Sequence, residues 1–272
     1  MFSISRIFLN RKHDLKRFYD RQLRIDGMDQ ERINKAKIAI IGVGETGSHS
    51  AIYSAHAGIG CLRLCDFDVV EAHNVPRMLD VTVNDVKKYK TEVVAKAIKK
   101  LGNGTKVETY NVEARYLSKS FFADLDVAIV CVDRISTRFE IGEILWSKGI
   151  PHIDVGIRDL LLNVMEFLPH RKEWPCMFCM RQIIPENQLQ FSNKAKSCDE
   201  EPIPTILPPG AVASAVAVNE ALKILTDFEL GEPLNNFLQV DLRNLHFLKI
   251  KVPKDKKCPI CAGQSSQKTG DG

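Results

Sequence analysis

Gly42, Gly44 and Gly47 are spaced G-x-G-x-x-G between the apolar run KIAII and a stretch of helical character. Such a turn does its chemistry through the backbone. Its amides, and the positive end of the helix it opens, attract phosphate. The first glycine permits the tight turn, the second lets phosphate approach the backbone, and the third lets the helix lie close to the sheet. Asp66 comes 19 residues after Gly47, where a second apolar run ends. A carboxylate in that place bonds ribose hydroxyls. The pattern predicts a bound nucleotide without deciding which one.

Asn74, Arg77, Lys90 and Asp133 narrow the choice. Asn74 and Arg77 lie just past the second apolar run, Lys90 opens the next helix, and Asp133 ends the run VAIVCVD. In an open parallel sheet these places lie near the carboxyl edge, where ligands bind. Two cations and a further carboxylate exceed the needs of a dinucleotide. They suit a triphosphate with a metal: Arg and Lys neutralise phosphate oxygens, and Asp holds magnesium. A hydride-transferring dehydrogenase is the alternative from another class, and this set disfavours it.

Four of the eight cysteines form two Cys-x-x-Cys pairs, Cys176 with Cys179 and Cys258 with Cys261. Pairs so spaced read as zinc ligands in a reducing compartment, so a cytoplasmic protein is expected. Since 78 residues lie between the inner cysteines, the pairs must meet in space. A closed four-thiolate site has no open position for catalysis, so zinc is assigned a structural role. Cys61, Cys65 and Cys131 fall in apolar strands and are expected as buried core thiols.

The elements that must position these residues follow from periodicity. The chain has 272 residues, 44% of them apolar, enough for one large α/β domain. Residues 1–35 are polar and charged and are expected to be a helical segment. From 36 to 262, strands at 37–44, 61–68, 106–112 and 127–133 alternate with helices near 48–58, 87–102 and 135–149. A strand at 151–157 follows. This order implies a doubly wound, Rossmann-like, mostly parallel sheet. LLLNVMEFLP (160–169) suggests an antiparallel extension, and residues 180–209 read as a long irregular loop. A helix is expected to resume at about 211, with two strands after it. Residues 263–272 read as a disordered tail. The net charge of +4 argues against a nucleic-acid partner. GAVASAVAV, the longest stretch of small apolar residues, runs into Asn219 and Glu220, so no membrane span is expected.

With these motifs in order, residues 17–262 resemble the ThiF/MoeB family of adenylating enzymes, which includes the activating enzymes of ubiquitin-like proteins. The resemblance runs through YDRQLRIDGMDQ, the glycine turn, DFDVVEAHNVPR, KYKTEVVAKAI, CVDRISTR and both Cys-x-x-Cys pairs. It implies an adenylation domain over 36–262. Asp66 would bind ribose, Asn74, Arg77 and Lys90 would surround the phosphates, and Asp133 would bind magnesium. In a homodimer, Arg21 would reach the nucleotide of the partner subunit. The implied substrate is a small β-grasp protein ending in Gly-Gly, whose terminal carboxylate is joined to AMP. Cys198, in NKAKSCDEEPIPT, lies where the short homodimeric activating enzymes carry a catalytic cysteine. It would form a thioester before passing the modifier to a conjugating enzyme. A sulfur-carrier adenylyltransferase, a scaffold without activity and a free loop cysteine at 198 are the alternatives. The chain departs from the family at Glu45, where a further glycine is usual, and at Met78, where Gln is common. An acidic side chain beside a triphosphate repels it unless it points away or helps to hold the metal.

Overall fold

The computed structural model describes residues 17–183, 204–234 and 236–262. A single eight-stranded sheet has the order β3-β2-β1-β4-β5-β6-β7-β8. The strands are β1 (Lys37–Ile41), β2 (Cys61–Cys65), β3 (Lys106–Tyr110), β4 (Val127–Val130), β5 (His152–Arg158), β6 (Leu161–Phe167), β7 (Phe237–Asp241) and β8 (His246–Ile250). The first five run parallel, and β6, β7 and β8 extend the sheet antiparallel. Strand order reverses between β1 and β4, the place where open α/β sheets form a crevice beyond their carboxyl ends.

The helices among the described residues are α1 (Gln30–Lys35), α2 (Glu45–Ala57), α3 (Lys90–Leu101), α4 (Ile135–Ser147) and α5 (Leu207–Leu225). The apolar runs of β1 and β4 are buried on both faces because side chains alternate across a strand. Ile38, Ile40, Val127 and Ile129 join one core with residues of α2, α3 and α5. Ala39, Ile41, Ala128 and Val130 face the other way, with Phe121 and residues of α4. Small side chains on α2 and α5 let these helices pack closely, and the Ser214 hydroxyl donates to the Thr46 carbonyl at 2.7 Å.

Two helix starts lie earlier than periodicity suggests. The helix α5 begins at Leu207 rather than near 211, because Pro208 and Pro209 occupy its first turn. A first turn needs no backbone donor, so prolines open a helix there. Similarly α2 begins at Glu45 rather than Ser48.

One polar feature lies deep between β6 and α5. The Glu166 carboxylate accepts the Leu234 N–H at 3.0 Å, and its second oxygen has no hydrogen-bond partner. Glu220 lies close by, with one oxygen on Lys223 at 2.8 Å and the other unpartnered. Burial first, and then the Glu220 charge, pushes the Glu166 carboxyl up to about 7. The folded state thus holds a proton that the unfolded chain releases near pH 4.5. This contribution is fully present below that pH and is lost as pH rises through about 7. Its size is on the order of 3 kcal/mol. Denaturant melts at pH 5, 6, 7 and 8 should show wild type losing stability over this range. In Glu166→Gln the slope should flatten; equal slopes would place the proton elsewhere.

Candidate active site and four-cysteine centre

The glycine turn joins β1 to α2. Gly42 has φ of 88° and donates its N–H to the Cys65 carbonyl at 2.8 Å. A Cβ on Gly47 would lie 1.9 Å from the Gly42 carbonyl oxygen, so α2 could not start this close to the strand with any other residue. A Cβ on Gly44 would meet no atom within 4 Å. The outer glycines answer to packing, and the middle one faces open space that a phosphate could enter.

Asp66, just past β2, holds this turn in place. One of its oxygens accepts the Val43 N–H at 2.6 Å and the other the Asp68 N–H at 2.8 Å. Burial pushes its carboxyl up, while Lys90 and the two N–H groups pull it down. Each carboxylate oxygen has a second lone pair, so a ribose hydroxyl can still be received. Lys90, the buried first residue of α3, donates to Asp68 at 2.7 Å. Sequence reasoning gave Asp68 no role. The alternation in DFD carried the signal, since it aims both aspartates to one side of the extended chain.

Asn74 is buried, and its amide oxygen caps a short 3-10 turn by accepting the Glu71 N–H at 3.0 Å. That turn is held on α2 by the Leu79 N–H, which donates to the Ser48 hydroxyl at 3.2 Å. Arg77 is thereby carried to the start of α2, where its guanidinium lies 3.8 Å from Glu45. Met78 points the other way, into the core.

Glu45 is buried at the start of α2. The Thr205 hydroxyl lies 3.1 and 3.0 Å from its two oxygens, and the backbone of Gly210 lies against it, where a Cβ would come within 2.5 Å of Oε1. Burial pushes its carboxyl up to about 7 against the pull of Thr205 and Arg77. Asp133, exposed just past β4, is near enough to push the same way. Glu45, Arg77 and Asp133 therefore share one edge of the sheet with the turn.

Arg21 does not join them within one chain. Its side chain is 91% exposed, and the neighbouring Tyr19 packs beside Gly58 at the far end of α2. A helix of 13 residues is about 20 Å long. Cys61, Cys65 and Cys131 are buried, and burial pushes the Cys131 thiol up to about 12. That thiol is poorly suited to serve as a nucleophile. Cys198 lies outside the described residues. A second ion pair, of α4 Arg138 with β5 Asp154, is buried near this edge. A recess of about 790 Å³ lies at the opposite edge beside Lys35, Asp126 and Phe228.

The four paired cysteines converge. Cys176 and Cys258 sulfurs lie 3.5 Å apart, Cys179 and Cys261 3.5 Å, and Cys176 and Cys179 3.9 Å. All four sulfurs lie within 4.8 Å of one another and are buried. A tetrahedral zinc thiolate site has sulfur–sulfur edges of about 3.8 Å, so the cluster fits that ion. The Asp255 N–H also points at the Cys179 sulfur, at 3.5 Å, as it would to a thiolate.

Residues 19–260 match the ThiF family. The chain belongs to that family. It is an adenylyltransferase of the ThiF and E1 type with an ATP-binding, Rossmann-like fold. It is 27% identical over 266 residues to the sulfur carrier protein adenylyltransferase of Thermus thermophilus, covering 94% of each chain. It is also 27% identical over 251 residues to the SAMP-activating enzyme E1 of Haloferax volcanii, covering 89% of this chain and 87% of the relative. Among solved structures, PaaA superposes with a TM-score of 0.74 at 22% identity, covering 93% of this chain and 86% of that one. Escherichia coli MccB superposes at 0.72 and 22% identity, covering 85% of this chain and 68% of that one. These two likenesses bear on the fold alone. No helix among the described residues is long and apolar enough to cross a membrane.

The four-cysteine centre makes a direct prediction. Protein never exposed to chelator should carry about one zinc per chain by elemental analysis. Cys258→Ser should lose the metal and at least about 3 kcal/mol of stability. Its ATP affinity should stay within about twofold, because the cluster lies away from the glycine turn. Metal-free wild-type protein would contradict the assignment.

Proposed function

We propose that this chain adenylates the C-terminal glycine of a ubiquitin-like protein with ATP and then takes the acyl group onto Cys198 as a thioester. The observation that carries the first step is the shared edge: open Gly44, with Arg77, Lys90 and Asp133 at the same end of the sheet, in a chain of the ThiF family. The substrate carboxylate attacks the α-phosphorus. An acyl–phosphate bond forms, the bond to the bridging oxygen of the β-phosphate breaks, and pyrophosphate leaves. Arg77 and Lys90 offset the charge that develops on the phosphate oxygens, and Asp133 would hold magnesium there. Lys90 would turn from Asp68 to the phosphates. Asp66 would fix the ribose, so that the α-phosphorus stands in line with the carboxylate.

In the second step the Cys198 thiolate attacks the acyl carbon, and AMP leaves. The modifier would then pass to a conjugating enzyme. A homodimer is part of this reading, because an exposed Arg21 can serve the nucleotide of a partner subunit but not its own. Names among the relatives favour a second reading. The Thermus thermophilus protein, alike in length, is a sulfur carrier protein adenylyltransferase. In that reading the adenylate passes to a sulfur donor and no thioester forms on Cys198.

Pyrophosphate exchange into ATP, with a small β-grasp protein ending in Gly-Gly as acceptor, tests the first step. Asp133→Ala should abolish exchange, and wild-type exchange in that variant would misplace the metal. Cys198→Ala should retain exchange and lose a thiol-sensitive enzyme–modifier band on a non-reducing gel. Brisk exchange without such a band in wild type would decide for the sulfur-carrier reading. Mixing inactive Arg21→Ala with inactive Asp133→Ala should restore about a quarter of the activity, since half of the dimers are mixed and one of their two sites is whole. No recovery after subunit exchange would remove Arg21 from the partner's site.

A further inference from the structure

Glu45 stands in the position where its family usually has glycine, and it is only 5% exposed. An unpaired buried carboxylate is costly, and a substitution of this kind persists only where partners are arranged for it. Here the partners come from a distant part of the chain. Thr205 places its hydroxyl on both carboxylate oxygens, 160 residues away in sequence. Gly210, in the first turn of α5, leaves the space, for a Cβ there would lie 2.5 Å from the Glu45 Oε1. The Pro204 carbonyl in turn accepts the Asp159 N–H at 2.7 Å, which anchors this segment to the sheet. The carboxylate is thus held at the start of α2, 3.8 Å from Arg77. The charged groups that face it are Arg77 and, with the opposite effect, Asp133.

We propose that Glu45 is an internal competitor of the nucleotide: tethered by Thr205 in the space that Gly210 leaves, it occupies Arg77 and so weakens ATP binding. The inference rests on the reading of this edge as the ATP site. A triphosphate arriving beside Gly44 needs the same guanidinium, and it meets a negative charge that a glycine at 45 would not present. Occupancy of the site is thereby tied to the segment that leads into α5. To take Arg77, phosphate must overcome a contact that also fixes Thr205.

ATP binding by equilibrium dialysis with magnesium at pH 8.5, where the Glu45 carboxyl is ionised, tests this without any modifier protein. Far-UV spectra and melting curves verify that each variant is folded. Glu45→Gln keeps an oxygen for the Thr205 hydroxyl and removes the charge, and it should bind ATP about five- to tenfold more tightly. Thr205→Val should tighten binding about two- to threefold by loosening the tether, and Thr205→Ser should bind as wild type does. In an Arg77→Ala background the gain from Glu45→Gln should vanish, a non-additivity that a merely structural role would not produce. Unchanged or weaker binding by Glu45→Gln overturns the competition, and Thr205→Val equal to wild type overturns the tether. If exchange is brisk and Glu45→Gln has no effect, only the role of Glu45 fails. If neither wild type nor Glu45→Gln binds ATP, the reading of the site fails with it.

Discussion

The approach of α2 to β1 at Gly47 sets the geometry on which the site depends. With a Cβ contact of 1.9 Å to the Gly42 carbonyl, no side chain fits there, so the helix starts directly over the end of the strand. That closeness aims the first-turn amides of α2 into the crevice between β1 and β4. It also lets the small residues of α2 lie against the sheet, which draws α5 in beside them. Asp66 completes the arrangement by binding the Val43 N–H, so that the turn is held from the next strand. Lys90 opens an element and Asp133 follows one at that end of the parallel sheet, and Arg77 is carried there by the loop held on α2.

The antiparallel wing has a different basis. Its outermost strand, β8, is largely exposed and packs little. The chain beyond it is tied back by Cys258 and Cys261 onto Cys176 and Cys179. Trp146, Met165 and Phe167 pack around the cluster and connect it to α4 and β6. In such a wing, a metal held by the four thiols would cross-link distant segments, so that its binding would be coupled to folding.

Much of this was legible in the sequence because it is local. The glycine spacing, the apolar runs and the Cys-x-x-Cys pairs each lie within one element or turn, and periodicity reads them directly. What was not legible depends on residues far apart in the chain. Lys90 opens its helix as expected, but its partner Asp68 comes from the previous strand end. Nothing in CVDRISTR says that Arg138 pairs with Asp154 below the site. The helix α5 starts before its small apolar run, because Pro208 and Pro209 sit in a first turn where no backbone donor needs a partner. Arg21 reads as a nucleotide ligand by resemblance, yet within one chain it sits at the wrong end of α2.

Glu45 is the instructive case. By sequence it is an acid inside a phosphate-binding turn, and Coulomb's law alone makes it a defect. Its burial changes the argument. In water a carboxylate would be free to turn away, but here Thr205 and the space left by Gly210 hold it in one place. A side chain so enclosed cannot yield to a ligand without disturbing its hosts.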